Sequence, residues 1–194
     1  MIFQAIEYAT RVHSGQYRKA TQIPYIIHPL AVARILIEHG CRSEMVSAGI
    51  LHDTLEDTRA TVEEIVQFFG KEVADLVLSV SEPNHSDHTW ENRKAFMLKH
   101  LRTASRETLV ISLADKLDNI RSIVGDYENL GENLWKRFNR PKEKQKWYYD
   151  ALAVIFADRL IKDDALLASQ FKALVSRVFD QPCAAAAGSF PKSP

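Results

Sequence analysis

The segment MVSAGIL, residues 45–51, is apolar nearly all round a helix. A helix of that kind has almost no side to offer to water, so other elements must surround it. The rest of the chain supplies them, nearly all as further helices. Residues 2–13 place Ile2, Phe3, Ile6, Ala9 and Val12 at helical spacing. Residues 29–39 open with Pro29, a favoured first-turn residue, and stop at Gly40. Ser43 stands where the cap of the MVSAGIL helix belongs, and Thr61 with Glu64 makes a capping box for 62–69, ended by Gly70. Helices are also expected over 71–80, 90–102 and 106–124, from Pro141 to about 160, and over 164–179. SEPNHSDHTW, 81–90, reads as a long loop and 125–140 as a polar connection rich in turn residues. Strand signals are nearly absent and no internal repeat is visible. The expectation is an all-α, compact multi-helix domain of eight to ten helices over residues 1–180. A low-complexity tail, 181–194, follows it.

Composition narrows the class. Of the 194 residues, 46% are hydrophobic and 26% charged, ordinary values for a globular domain. The formal charge is zero, which leaves no basic field for nucleic acid or an anionic membrane. The N-terminus carries Glu7 and Arg11 inside its apolar pattern and lacks a signal-peptide core. No stretch approaches the roughly 18 apolar residues of a membrane span. Cys41 and Cys183 lie far apart without metal-site spacing and read as free thiols. A cytoplasmic protein is expected, with oligomerisation left open.

The buried helix ends abruptly in ILHDTLEDT, residues 50–58. Charged groups at the end of a core segment are unfavourable unless something pairs with them. Three places in all put His or Asp behind apolar helical context or at its end: His28 after Tyr25-Ile26-Ile27, the pair His52-Asp53 itself, and Asp115 in LVISLADKLDNI. Each has a bland reading. His28 suits a hydrogen-bonded surface histidine, His52-Asp53 a helix terminus, and Asp115 a buried partner of Lys116 or Arg121. Taken as one set, two imidazoles and two carboxylates suit a borderline divalent ion such as Mn, Fe, Co, Ni or Zn, and argue against calcium. Glu56 is i+4 from His52 and Asp57 is i+4 from Asp53, so one more helical turn would stack both carboxylates on the same face.

The strings HSGQYRK…PYIIHPLAVARIL, ILHDTLEDT and LADKLDNIR together resemble the hydrolase domain of the RelA/SpoT family. The likeness covers roughly residues 1–160 and is greatest to the small alarmone hydrolases of the metazoan SpoT-homologue type. These belong to the HD phosphohydrolase superfamily. The resemblance implies that His28, His52, Asp53 and Asp115 ligate a divalent metal, usually manganese, and that Glu56 and Asp57 activate and orient the attacking water. It implies substrate-binding roles for Arg18, Lys19, Asn119 and Tyr148, with Trp147 beside the last. His13 in HSGQ is either site wall or core. Asp118 departs from relatives, which often carry a larger or aromatic residue there, and is expected to face solvent. Lys142, Lys144 and Lys146 read as a solvated basic face.

The implied reaction is metal-dependent hydrolysis of guanosine 3′,5′-bis(diphosphate), ppGpp or pppGpp, to GDP or GTP and pyrophosphate. The chain falls short of the length needed for the family's synthetase domain, so degradation without synthesis is expected. Two other readings stay open: an HD phosphohydrolase acting on an adenosine alarmone, NADPH or a nucleoside monophosphate, and a non-catalytic nucleotide-binding regulator. The complete acid set weighs against the regulator.

Overall fold

The computed structural model describes residues 1–19, 21–82 and 89–180. The order along the chain is α1 (Ile2–Val12), α2 (Ile27–Glu38), α3 (Ser43–Leu51), α4 (Thr54–Asp57), α5 (Val62–Phe69), α6 (Lys71–Val80), α7 (Trp90–Leu101), α8 (Arg106–Leu130), α9 (Lys142–Arg159) and α10 (Ala165–Phe179). Short 3-10 segments at Gly131–Arg137 and Lys162–Asp164 join the last three. Among the described residues the only β-type pairing is one isolated antiparallel bridge, Tyr17 with Pro24. The fold is all-α.

α3 is buried along the whole of MVSAGIL, and α1, α2, α6 and α8 enclose it. α8 then packs on α10, which packs on α9, so one continuous core links the two halves of the chain. Close approach of α2 and α3 depends on Gly49. A Cβ built there would lie 2.4 Å from Leu36 Cδ1 and 3.3 Å from Val32 Cγ1.

Several boundaries differ from expectation. α2 begins at Ile27, so Pro29 sits third in its first turn, where its missing N–H falls among donors that lack helical partners anyway. Arg42, not Ser43, occupies the cap position of α3, and no side chain caps that helix. The capping box of Thr61 and Glu64 forms as expected, and Gly70 ends α5 at φ 84°.

The largest difference is α8. It does not stop at Gly125 but runs to Leu130, and Gly131, at φ 55°, ends it. Tertiary packing explains the extension. Tyr127 is buried, its ring lies 5.9 Å from that of Trp135, and its hydroxyl donates to Glu132. An apolar anchor beyond Gly125 outweighs the roughly 1 kcal/mol that glycine forfeits within a helix. Most of the expected 81–90 loop and the whole 181–194 tail, with Cys183, lie outside the described residues. Cys41 is a free thiol.

Candidate metal centre

The helix carrying HDTLED does not continue straight. His52 caps α3 in helical conformation, then the chain turns at Asp53, which caps the short α4. The Asp57 amide still reaches the Asp53 carbonyl at 2.9 Å, so an i+4 turn survives across the break. The bend separates the two acids. Glu56 accepts from the Glu82 amide beyond α6 at 2.6 Å, whereas Asp57 faces Tyr25 and the end of α1.

His28, second residue of α2, brings its ring within 5.1 Å of the His52 ring. His28 Nε2 lies 3.2 Å from Asp115 Oδ1 and 3.7 Å from Asp53 Oδ2. His52 Nε2 lies 2.9 Å from Asp53 Oδ2 and 3.7 Å from Asp115 Oδ1. One atom each from His28, His52 and Asp53 falls within 4.8 Å of the others. Asp115, from the buried stretch of α8, completes the ring of contacts around both imidazoles.

The donor chemistry fits a cation. His52 Nδ1 sits 2.8 Å from the Gly49 carbonyl, which can only accept, so Nδ1 carries the proton. His28 Nδ1 likewise faces Asp118 Oδ2 at 2.6 Å. Both Nε2 atoms are thus left to point at the carboxylates, and His52 Nε2 is buried with no aligned hydrogen-bond partner despite its nearness to Asp53. Imidazoles held through Nδ1 with Nε2 turned inward are the arrangement that divalent-metal sites use. The carboxylates are anchored too: Asp53 accepts from the Tyr25 hydroxyl, and Asp115 from Asn119 Nδ2 and Lys116 Nζ, both at 2.6 Å.

Electrostatics agree. Burial opposes a charged His52, but Asp53 and Asp115 outweigh it and push its pKa up to about 9. His28 is raised in the same way, burial being overcome by hydrogen bonds to Asp115 and Asp118. Asp53 and Asp115 are held well below the usual carboxylate range. For both, burial opposes the shift and is overcome, chiefly by His52 for Asp53 and by Lys116 for Asp115. Without metal, protons on the imidazoles neutralise the acids. A divalent ion would take their place.

Glu56 behaves oppositely. Burial, with repulsion from Asp53, lifts it to about 7 against the pull of the Glu82 amide. Asp57 is raised by burial and by Asp53. Its position is fixed from behind: buried His13 bonds Gln16 Oε1 at 2.7 Å, and Gln16 Nε2 donates to the Asp57 carbonyl at 2.8 Å.

Arg18 reaches α8, where its guanidinium meets Asp118 Oδ2 at 3.2 Å, Asn119 Oδ1 at 3.3 Å and Ser122 Oγ at 3.2 Å. Arg18, Lys19 and Asn119 line one cleft of about 200 Å³, together with Arg137 and Tyr149. Glu56 and Asp57 line other grooves. Tyr148 stands apart from the Arg18 cleft. It is 4% exposed, set against Trp90 and under Lys94, and the cleft takes its neighbour Tyr149 instead. Trp147 is exposed. Lys142 and Lys146 pair with Glu132, Asp150 and Asp180.

Asp118 is the main correction. It does not face solvent; its side chain is 16% exposed and sits between His28 and Arg18. Its i+3 spacing from Asp115 on one helix was the available signal. Tyr25 and Gln16 also touch the centre or its acids without any expectation pointing to them, whereas Lys116 pairs with Asp115 as its bland reading had it.

Comparison with known proteins decides the lineage. Residues 5–140 match the HD domain family. The chain belongs to that family. Among HD relatives, the Xenopus tropicalis guanosine-3′,5′-bis(diphosphate) 3′-pyrophosphohydrolase MESH1 is 38% identical over 128 residues, covering 63% of this chain and 69% of the relative. The Aquifex aeolicus guanosine-3′,5′-bis(diphosphate) 3′-pyrophosphohydrolase is 41% identical over 123 residues, and there the match spans only 18% of the longer protein. Two solved HD structures superpose. Listeria monocytogenes lmo0812 gives a TM-score of 0.74 at 38% identity, covering 79% of this chain and 99% of that one. A metazoan ortholog of SpoT that hydrolyses ppGpp gives 0.72 at 26% identity, covering 91% and 94%. No helix among the described residues is long and apolar enough to cross a membrane.

Proposed function

We propose that this HD protein hydrolyses the 3′-pyrophosphate of ppGpp and pppGpp, releasing GDP or GTP and pyrophosphate, with residues 1–180 as one hydrolase domain. The observation that carries the reading is the convergence of two inward-facing Nε2 atoms and two anchored carboxylates beside a carboxyl tuned to about 7. The named activities of the Xenopus and Aquifex relatives supply the substrate.

His28, His52, Asp53 and Asp115 would hold the ion, and manganese is the proposed metal. When bound, a divalent ion there supplies Lewis acidity, easing deprotonation of water and drawing charge from the phosphate. The protein's own groups do the rest. Glu56, poised near neutrality, accepts the proton of the attacking water as the new O–P bond forms. Asp57, held by Gln16 through its carbonyl, orients that water. The bond between phosphorus and the ribose 3′-oxygen breaks, and the proton passes to that oxygen. Arg18 and Lys19 hold the second phosphate arm, and Asn119 keeps Asp115 in place while facing the cleft.

The test is turnover of ppGpp with and without manganese, with product analysis. GDP and intact pyrophosphate are expected, with activity lost to chelator and restored by the metal. His52→Ala should lose both metal and turnover. Sequential orthophosphate release, or brisk turnover of nucleoside monophosphates without turnover of ppGpp, would refute the substrate. Stoichiometric metal in His52→Ala would refute the ligand set.

A further inference from the structure

Asp118 is placed where two functions meet. Its Oδ2 accepts from His28 Nδ1 at 2.6 Å and from Arg18 Nη1 at 3.2 Å. One oxygen therefore serves a proposed metal ligand and a proposed phosphate-binding cation, which come to it from 90 and 100 residues away along the chain. His28 is 3% exposed, and the Arg18 and Asp118 side chains are 19% and 16% exposed, so solvent screens these contacts poorly.

We infer that Asp118 is a shared positioning carboxylate that couples metal binding at His28 to release of Arg18 for substrate phosphate. Sharing is the physical cause. Carboxylate charge drawn to Arg18 is withheld from His28 Nδ1–H, and an imidazole whose Nδ1–H meets a stronger acceptor is a better metal ligand through Nε2. A cation at Nε2 makes Nδ1–H a stronger donor in turn and pulls Asp118 away from the guanidinium. Freed from that partner, Arg18 has its donors available for a phosphate oxygen. Reciprocity follows: an anion that draws Arg18 off Asp118 strengthens the metal site.

The inference rests on the proposed metal centre, and the experiment separates the two. Manganese affinity is measured by calorimetry, without substrate, for wild type, Arg18→Ala, Asp118→Asn and the double variant. Asp118→Asn should bind manganese about 10-fold or more weaker. Arg18→Ala, despite lying in the substrate cleft, should bind it about 5-fold tighter, because Asp118 then serves His28 alone. In the Asp118→Asn background the Arg18 substitution should change affinity less than about twofold. Asp118→Ser provides a second background should the asparagine variant fold poorly, with the same result expected.

An equal gain from Arg18→Ala with and without Asp118 would mean simple removal of a nearby positive charge, and would overturn the inference. A gain that persists without Asp118 but vanishes in Asn119→Ala would overturn it too, in favour of the bridge from Arg18 through Asn119 to Asp115. A wild type that binds no divalent ion would overturn the metal centre itself.

Discussion

Two glycines inside helices should respond to alanine with opposite sign. At Gly49 the added Cβ meets Leu36 Cδ1 at 2.4 Å and Val32 Cγ1 at 3.3 Å, against an ordinary carbon contact of about 3.5–4.0 Å. The Leu36 methyl ends a side chain, but that side chain is fully buried, and close packing in a core opposes its displacement. Overpacking of this kind costs about 1–3 kcal/mol, while alanine returns about 0.5–1 kcal/mol of helix preference. The net loss is at most about 2.5 kcal/mol with a midpoint of about 1.2, and that midpoint lowers Tm by roughly 2–5 °C for a domain of this size. The displaced seam joins α2 to α3, and the Gly49 carbonyl holds His52 Nδ1, so metal affinity should fall as well. At Gly125, inside α8, nothing lies within 4 Å of the added atom. Gly125→Ala should stabilise by about 0.4–1 kcal/mol and leave metal binding unchanged. Thermal and urea unfolding of both variants in chelator, with manganese titrations beside them, is the assay. A Gly49→Ala protein as stable as wild type with undiminished metal affinity would show slack in the α2–α3 seam and refute the reasoning.

Metal binding at pH 7 should release protons, because His52 in the metal-free protein titrates at about 9; calorimetry in buffers of different ionisation enthalpy reads the number. Affinity should therefore rise with pH towards 9. Metal-free stability moves the other way, since the raised His52 pKa contributes fully below about 6.5 and is lost as pH climbs through 9. Glu56→Gln should keep its metal while kcat falls about 10²- to 10⁴-fold, and the Glu56 carboxyl, followed by NMR, should titrate near 7 without metal and lower with it. Asp164 is buried and accepts from both His39 and Arg106; Asp164→Ala should destabilise by about 2–4 kcal/mol in urea unfolding and spare metal binding. Its depressed pKa means the stabilisation holds above the usual carboxylate range and fades as pH falls through it.

Helix number and type were legible because almost every segment carries one apolar stripe and a local stop signal. Thr61, Glu64 and Gly70 act within a few residues, and they formed as read. Gly125 misled because its neighbour Tyr127 finds Trp135 through tertiary packing that no local signal shows. The convergence of His28, His52, Asp53 and Asp115 was legible as a pattern of residues behind apolar runs. The bend at Asp53, which sends Glu56 and Asp57 to different surroundings, was not. Asp118 was lost for a related reason: its partners, His28 and Arg18, come from the other end of the domain. A residue's role there is set by what packs opposite it, not by its own neighbours.

The centre also imposes an order on assembly. His28 lies on α2, and His52 and Asp53 directly follow α3; the two helices are consecutive in the chain and in contact, so bringing the three groups together closes only a short loop. Asp115 arrives on α8, after α5, α6 and α7 have been threaded past, and contacts of that sequence separation form late and slowly. The α2–α3 hairpin thus carries three of the four groups before the fourth exists as a neighbour. Docking of α8 adds Asp115 and closes the ring around both imidazoles in one event, and the same event delivers Asp118 and Asn119 to Arg18. The docking of α8 on α2 and α3 and the completion of the site's chemistry are one and the same.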